Sequence, residues 1–225
     1  MIIPETGKSK MSKRKFLKLS IKVLSGFALF TGPLFSWVRL GLGKIQKIIL
    51  PKNFPRKELA YKNPADLDTR NLSITPLDDF KTMGITDQKT DLNAWRLSIE
   101  GRIERPFFLT YSQILALPAI ERNVLLICPG FFANNGRWKG ISLVPLLQQA
   151  QIKHGATLVA FSGPEGPYEK TESFHLKEIL SNEIFLAYAV NGKPLPVKHG
   201  FPLRVVAQGH YGFNWVKYVH RIRVN

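Results

Sequence analysis

The 225-residue sequence holds a single cysteine, Cys128. One thiol excludes an internal disulfide and any metal cage built from paired cysteines. The spacings that mark other chemistries are absent as well. There is no Cys-x-x-Cys, no His-Glu-x-x-His, no carboxylate loop with calcium spacing, no P-loop, no G-x-G-x-x-G after a strand and no G-x-S-x-G elbow. The five histidines (His154, His175, His199, His210 and His220) are scattered, which disfavours a zinc site around Cys128. Acidic residues are scarce, with 16 Asp and Glu against 32 Lys and Arg, a formal net charge of +16.

That excess is unevenly placed. Residues 1–62 hold 14 Lys and Arg against 2 Asp and Glu, whereas residues 63–225 hold 18 against 14. A nucleic-acid-binding domain carries its basic patch on the folded part, so nucleic acid is not the expected partner. Lys8, Lys10, Lys13, Arg14, Lys15 and Lys18 instead form the positive start of an export signal, followed by the apolar stretch Val23 to Val38. Ser12-Lys13-Arg14-Lys15-Phe16-Leu17-Lys18 resembles the twin-arginine signal, with Lys13 in place of the first arginine. That pathway exports folded proteins, often with a cofactor installed. No small-x-small cleavage triplet follows; Phe35-Ser36-Trp37-Val38 is bulky. Extending the stretch to Leu19–Leu42, with Lys22 and Arg39 snorkelling, approaches the roughly 20 residues of a membrane span. Residues 1–42 are therefore expected to be an uncleaved anchor, with the domain outside the cytoplasmic membrane. A buried or amphipathic helix and cleavage at an unmarked site are the alternatives.

Residues 43–75, rich in Lys, Asn and Pro without steady period, are expected to be a linker, and 76–225 the domain. Trp95, Leu97 and Ile99 alternate with polar residues up to Gly101, which predicts a strand. Thr110 starts a helix that ends before Pro118, Val124 to Cys128 forms a buried strand, and Ser142 caps a helix through Ala150. Thr157–Phe161, Ile184–Val190, Leu203–Ala207 and Trp215–Val224 predict strands, and Leu176–Leu180 a short helix. Asn191-Gly192 is a strong turn signal. The expected class is α+β, dominated by sheet with short helices.

Cys128 ends the run Val124-Leu125-Leu126-Ile127 and is followed by Pro129-Gly130, where the chain is expected to enter a loop. The residues alone leave it either a small buried hydrophobe or a reactive or metal-binding thiolate. A Cys/His hydrolase stays formally open, although Pro129 lacks an N–H for an oxyanion hole. The second cluster runs from His199-Gly200-Phe201-Pro202-Leu203-Arg204 to Gly209-His210-Tyr211-Gly212-Phe213-Asn214-Trp215-Val216-Lys217. Its glycines permit close approach to a ligand, Arg204 and Lys217 suit a phosphate, and His199 and His210 are switchable donors. Two solvated β-turns with incidental charges are the plainer alternative. A soft thiolate together with an anion-binding loop set suits a metal delivered by an anionic organic cofactor.

At these residues the sequence resembles the sulfite oxidase family of molybdopterin-dependent oxidoreductases, over roughly residues 73–224. The matching segments are Trp95–Gly101, the strand ending in Cys128, Trp138–Leu143, Asn191–Leu195 and His199–Lys217. The resemblance implies a sheet-dominated molybdopterin-binding domain and a Mo-molybdopterin cofactor, with Cys128 as the metal ligand. It implies that Arg204 and Lys217 bind the pterin phosphate, with Trp215 and Val216 offering backbone contacts. His199 falls where members have histidine or asparagine, Asp79 where a cofactor-contacting asparagine is found, and Gly163 where a threonine is found.

Sulfite-oxidising members carry an oxyanion-binding arginine soon after the cysteine. Here the run is Pro129-Gly130-Phe131-Phe132-Ala133-Asn134-Asn135-Gly136-Arg137. The two phenylalanines are expected to make the pocket apolar and to favour an organic S-oxide, with the loop after Cys128 selecting the substrate and Arg137 free to reach the site. The implied activity is oxygen-atom transfer on a small substrate. Electrons pass to or from a separate partner, a haem membrane protein or a soluble cytochrome. A domain that has lost catalysis and serves as a binding module at the membrane surface is the alternative.

Overall fold

The computed structural model describes residues 47–166 and 170–225. One folded unit runs from Lys47 to Asn225; the signal or anchor expected over 1–42 lies outside the described residues. Among these, no helix is long and apolar enough to cross a membrane.

Two five-stranded sheets supply the frame. In the first, β5 (Ala119–Cys128) and β6 (Phe132–Ile141) form a long antiparallel hairpin, and β6 pairs with β9 (Ile184–Val190). Strand β9 pairs in turn with β10 (Lys193–Pro194) and β11 (Arg204–Ala207). In the second, the order is β4 (Phe107–Leu109), β3 (Leu97–Gly101), β12 (Arg221–Val224), β7 (Leu158–Ser162), β8 (Thr171–His175). Only β12 with β3 is parallel there. The main core gathers residues from both sheets, among them Leu97, Ile99, Phe161, Phe185, Val205 and Ile222, all essentially buried. The sheet-dominated α+β expectation is met.

The short helices follow their sequence signals. Thr110 accepts from Gln113 N at 3.2 Å while its own N–H donates to Gln113 Oε1 at 2.8 Å, a capping box that starts α2 (Tyr111–Ala116). Helices α3 (Val144–Ala150) and α4 (Leu176–Leu180) fall where they are expected. Asn191 and Gly192 both take positive φ, and Asn191 spends its side chain twice, accepting from Arg137 N and donating to Thr75 O. Of the strand expected over 215–224, only Arg221–Val224 is regular.

Two expectations need correction. Residues 47–75 are not a free linker. Strand β1 (Ile48–Ile49) pairs with β2 (Leu67–Asp68), helix α1 (Arg56–Leu59) lies between them, and Leu50, Leu59, Leu67 and Leu72 bury against Leu125, Ile127 and Ala133. Four leucines spread over 23 residues give no period, yet each finds the outer face of the β5–β6 hairpin.

Nor does a long loop follow Cys128. Only Pro129–Phe131 turns, and Phe132 already pairs with Cys128 in the ladder. Asn134 and Asn135 looked like loop residues but are buried in β6, where their amides replace missing backbone partners. Asn134 receives Lys81 N at 3.2 Å and donates to Lys81 O at 2.8 Å, and Asn135 donates to Leu72 O and Ser73 O at 3.0 and 3.2 Å. The two side chains sew the irregular stretch 72–81 onto the hairpin.

Gly140 packs its backbone directly against β9. The register between β6 and β9 shifts beside it, and a Cβ there would lie 1.9 Å from Leu186 O. Gly140→Ala is expected to destabilise the fold by about 2 kcal/mol or more, read as a lowered urea midpoint.

Candidate active site

Cys128 stands at the end of β5, half-buried, on the wall of a cavity of about 580 Å³. Its Sγ lies 3.1 Å from Met83 Sδ, and burial pushes the thiol pKa up. The remaining wall comes from four segments: Phe80–Ile85, residues of β5 and β6 (Leu126, Phe132, Asn134, Trp138), Gly163 and Pro164 with Lys170, and the stretch from His199 to Tyr218. A volume of this size suits an organic cofactor or ligand.

Arg204 opens β11 and is 4 % exposed. Its guanidinium lies over the rings of Trp138 and Trp215, 4.9 and 5.3 Å from their centroids, and one NH donates to His199 O at 2.9 Å. Burial pushes its pKa down to about 9. An arginine in practice keeps its proton, so this pressure is relieved by an anion. Lys217 faces Arg204 across an isolated antiparallel bridge; burial, then Arg204, lowers its pKa to about 8. Gly200 permits this pairing of stems, since a Cβ there would sit 3.1 Å from Lys217 Cβ and 3.2 Å from Arg204 Cβ.

Lys81 adds a further cation to the wall, as does Lys170, which pairs with Glu172 at 3.3 Å, and among the described residues lining the cavity there is no Asp or Glu. The arrangement is built for an anion.

His199 is buried with Nε2 lacking any partner, edge-on to Phe80. Burial first, then Arg204, Lys198 and Lys217, holds its imidazole down at about 4. It is neutral at pH 7, able to offer one hydrogen bond into the cavity. Tyr218, also on the wall, holds a left-handed φ of 58° that a bulky residue adopts only under local constraint, and its hydroxyl donates to Ile85 O at 3.0 Å.

Of the site residues expected from sequence, Cys128, His199, Arg204, Trp215 and Lys217 line one cavity, as does Gly163. Val216 is buried behind it and accepts Val205 N through its carbonyl. Asp79 is not on the wall; its carboxylate pairs with Arg56 at 3.2 Å, while Phe80 beside it turns inward. Arg137 pairs with Glu121 at 3.0 Å, and Phe131 is exposed outside the cavity, leaving Phe132 as the aromatic that lines it. His210 is engaged by Glu178 at 2.8 Å, also away from the wall.

Sequence reasoning missed Trp138 as a cation platform and the whole 81–85 segment. Trp138 opens the Trp138–Leu143 segment that carries the resemblance, and nothing in that segment marks it as a platform for Arg204. Segment 81–85 has no period and no motif to mark it.

Among the described residues no cluster of three or more His, Cys, Asp or Glu can hold a metal. A metal at Cys128 therefore needs its other ligands from a non-protein partner; the unpartnered His199 Nε2 asks that partner for a polar group and the buried Arg204 for an anionic one. One thiol, one anion cradle and a cavity of cofactor size suit an oxidoreductase domain of the molybdopterin type. Residues 83–225 match the oxidoreductase molybdopterin-binding domain, and the chain belongs to that family, the sulfite oxidase family, whose cofactor is Mo-molybdopterin.

Three curated relatives agree. The chain is 30% identical over 134 residues to the uncharacterized oxidoreductase YuiH of Bacillus subtilis, covering 59% of this chain and 66% of that protein. It is 33% identical over 147 residues to the protein-methionine-sulfoxide reductase catalytic subunit MsrP of Gluconobacter oxydans (58% and 46%). It is 29% identical over 159 residues to the NADH nitrate reductase of Volvox carteri (57% and 18%). The chain thus spans less than two thirds of the length of each of these relatives. Among solved structures, the sulfane dehydrogenase SoxCD of Paracoccus pantotrophus shares the fold, with TM-score 0.57, 24% identity and coverage of 61% of this chain and 39% of that one.

The titration of His199 has a measurable consequence. Its folded pKa of about 4 lies below its ordinary value of 6.5, so between these values the unfolded chain binds the extra proton. Stability is full above pH 6.5 and falls as pH drops toward 4. In cofactor-free protein, the melting temperature of wild type is expected to decline over that window more steeply than that of His199→Asn. Parallel profiles would contradict the assignment.

Proposed function

We propose that the protein is a molybdenum-molybdopterin oxidoreductase that transfers an oxygen atom to or from a small substrate outside the cytoplasmic membrane, and that it acts as an S-oxide reductase. The residues present fit the cofactor. Cys128 would hold the metal, Arg204 and Lys217 the phosphate, and the neutral His199 a polar group of the pterin. When bound, the cofactor supplies two-electron redox chemistry at molybdenum with exchange of oxygen. The chain's own contribution is to bind and orient. The Trp138 and Trp215 rings flank the guanidinium that meets the anion and keep water from it, while Leu126 and Phe132 make the wall beside Cys128 apolar.

The observation that carries the substrate class is the lack of an arginine at the thiol. The nearest after Cys128 is Arg137, nine residues on, and it is held by Glu121 at 3.0 Å. A small dianion set against Leu126, Phe132 and Met83 on this wall would give up hydration for apolar surface, a costly exchange. An uncharged S-oxide suits that surface, and the relation to a methionine-sulfoxide reductase subunit supports the same choice. In the net reaction the S–O bond of the sulfoxide breaks. Two electrons from a separate carrier and two protons turn the oxygen into water and leave the thioether.

The location rests on the basic run Lys8 to Lys18 and the apolar stretch behind it. The electron carrier is proposed to be a haem membrane protein or a soluble cytochrome, and nucleic acid has no place in this reading.

A screen with a reduced dye as electron donor tests the reading. Cofactor-loaded protein is expected to reduce dialkyl or aryl S-oxides with kcat/KM at least about tenfold above N-oxides, and to leave sulfite unoxidised when an oxidised dye is supplied. Sulfite oxidation without S-oxide reduction would overturn it.

A further inference from the structure

With Phe131 turned outward and Arg137 held by Glu121, the run after Cys128 gives Phe132 and Asn134 to the cavity wall and leaves another part of the thiol's surroundings to a second element. That element is the strap Lys81–Ile85, every residue of which lines the cavity. It is fastened at both ends. Lys81 exchanges two hydrogen bonds with the Asn134 amide, of 3.2 and 2.8 Å. Ile85 O accepts from the Tyr218 hydroxyl at 3.0 Å and from Lys217 Nζ, and Lys217 also donates to Thr82 Oγ1 at 3.3 Å. Between these anchors Met83 reaches down to Cys128 Sγ at 3.1 Å while half of its surface stays exposed. It stands between solvent and the thiol.

We propose that Met83 contacts the substrate at Cys128 and makes that end of the cavity a seat for an uncharged organic sulfoxide. This deepens the S-oxide reading above and rests on it. A thioether is soft, polarisable and uncharged, and its unbranched stem adapts to an alkyl or aryl group. It offers no N–H or O–H, so an oxyanion placed against it loses hydration without return. The fixed strap ends hold Met83 over the thiol, and its three side-chain rotations let it yield to an incoming group. Met83 is thus a specificity-determining residue supplied by a segment distant in sequence from the cysteine it covers.

The single cysteine gives an unambiguous readout that needs no turnover. Cofactor-free Met83→Ala is expected to react with iodoacetamide at Cys128 several-fold faster than wild type, followed by intact mass. Met83→Leu, which keeps the volume, is expected to stay near the wild-type rate and controls for folding. In loaded protein, Met83→Ala is expected to raise KM for dimethyl sulfoxide about tenfold with kcat little changed. Equal alkylation rates would show that Met83 does not cover the thiol, and an unchanged KM would show that it does not touch substrate; either overturns the proposal. Absence of S-oxide turnover in wild type overturns the substrate reading and the selection with it, whereas the cover over the thiol stands or falls on alkylation alone.

Discussion

A buried guanidinium without a carboxylate is the constraint on which this site turns. Arg204 enters on β11, a strand fixed by its register with β9, and is closed in by Trp138, Trp215 and the carbonyl of His199. Rings and the carbonyls of His199 and Val205 do not balance a full charge in a poorly solvated place. With Lys217 pressed beside it and no acid among the described wall residues, the pocket lacks negative charge. Its natural complement is a ligand anion such as a phosphate. The lowered titration of both cations, and of His199 beside them, expresses the same deficit.

The anion cradle and the thiol lie at different distances along the sequence but meet because of one hairpin. Strands β5 and β6 are ten residues each; β5 ends in Cys128, and β6 carries Trp138 beneath Arg204. The same hairpin holds the strap through Asn134 and the stretch before it through Asn135. Lys217 faces the cavity and also ties the strap. The thiol, the basic cradle and the strap are therefore joined through one hairpin rather than carried on independent loops, which suits a site where a bound group must be oriented.

Much of this could be read from the residues, and the gaps have physical causes. Strand β3, helix α2 with its Thr110 box, the Asn191-Gly192 turn and the pairing of Cys128 with the His199–Lys217 segment all rest on local signals, namely alternation, capping, turn chemistry and glycines near cations. What failed was decided by long-range partners. Asn134 and Asn135 read as loop because their compensating backbone groups sit some 50 to 60 positions earlier. Leu50, Leu59, Leu67 and Leu72 read as linker because they bury one at a time. Asp79 looked like a site residue by position, but Arg56 claims it. Met83 carried no signal, since a thioether over a thiol is a product of the fold alone.

Cys128 and Arg204 are proposed to hold one metal-bearing anion between them. The most direct measurement is molybdenum and phosphate content of protein purified from a host that makes the cofactor. The account predicts about one of each per chain in wild type, loss of both in Arg204→Met and loss of molybdenum in Cys128→Ser, with circular dichroism unchanged. Wild-type protein free of molybdenum, or full loading in Arg204→Met, would contradict it.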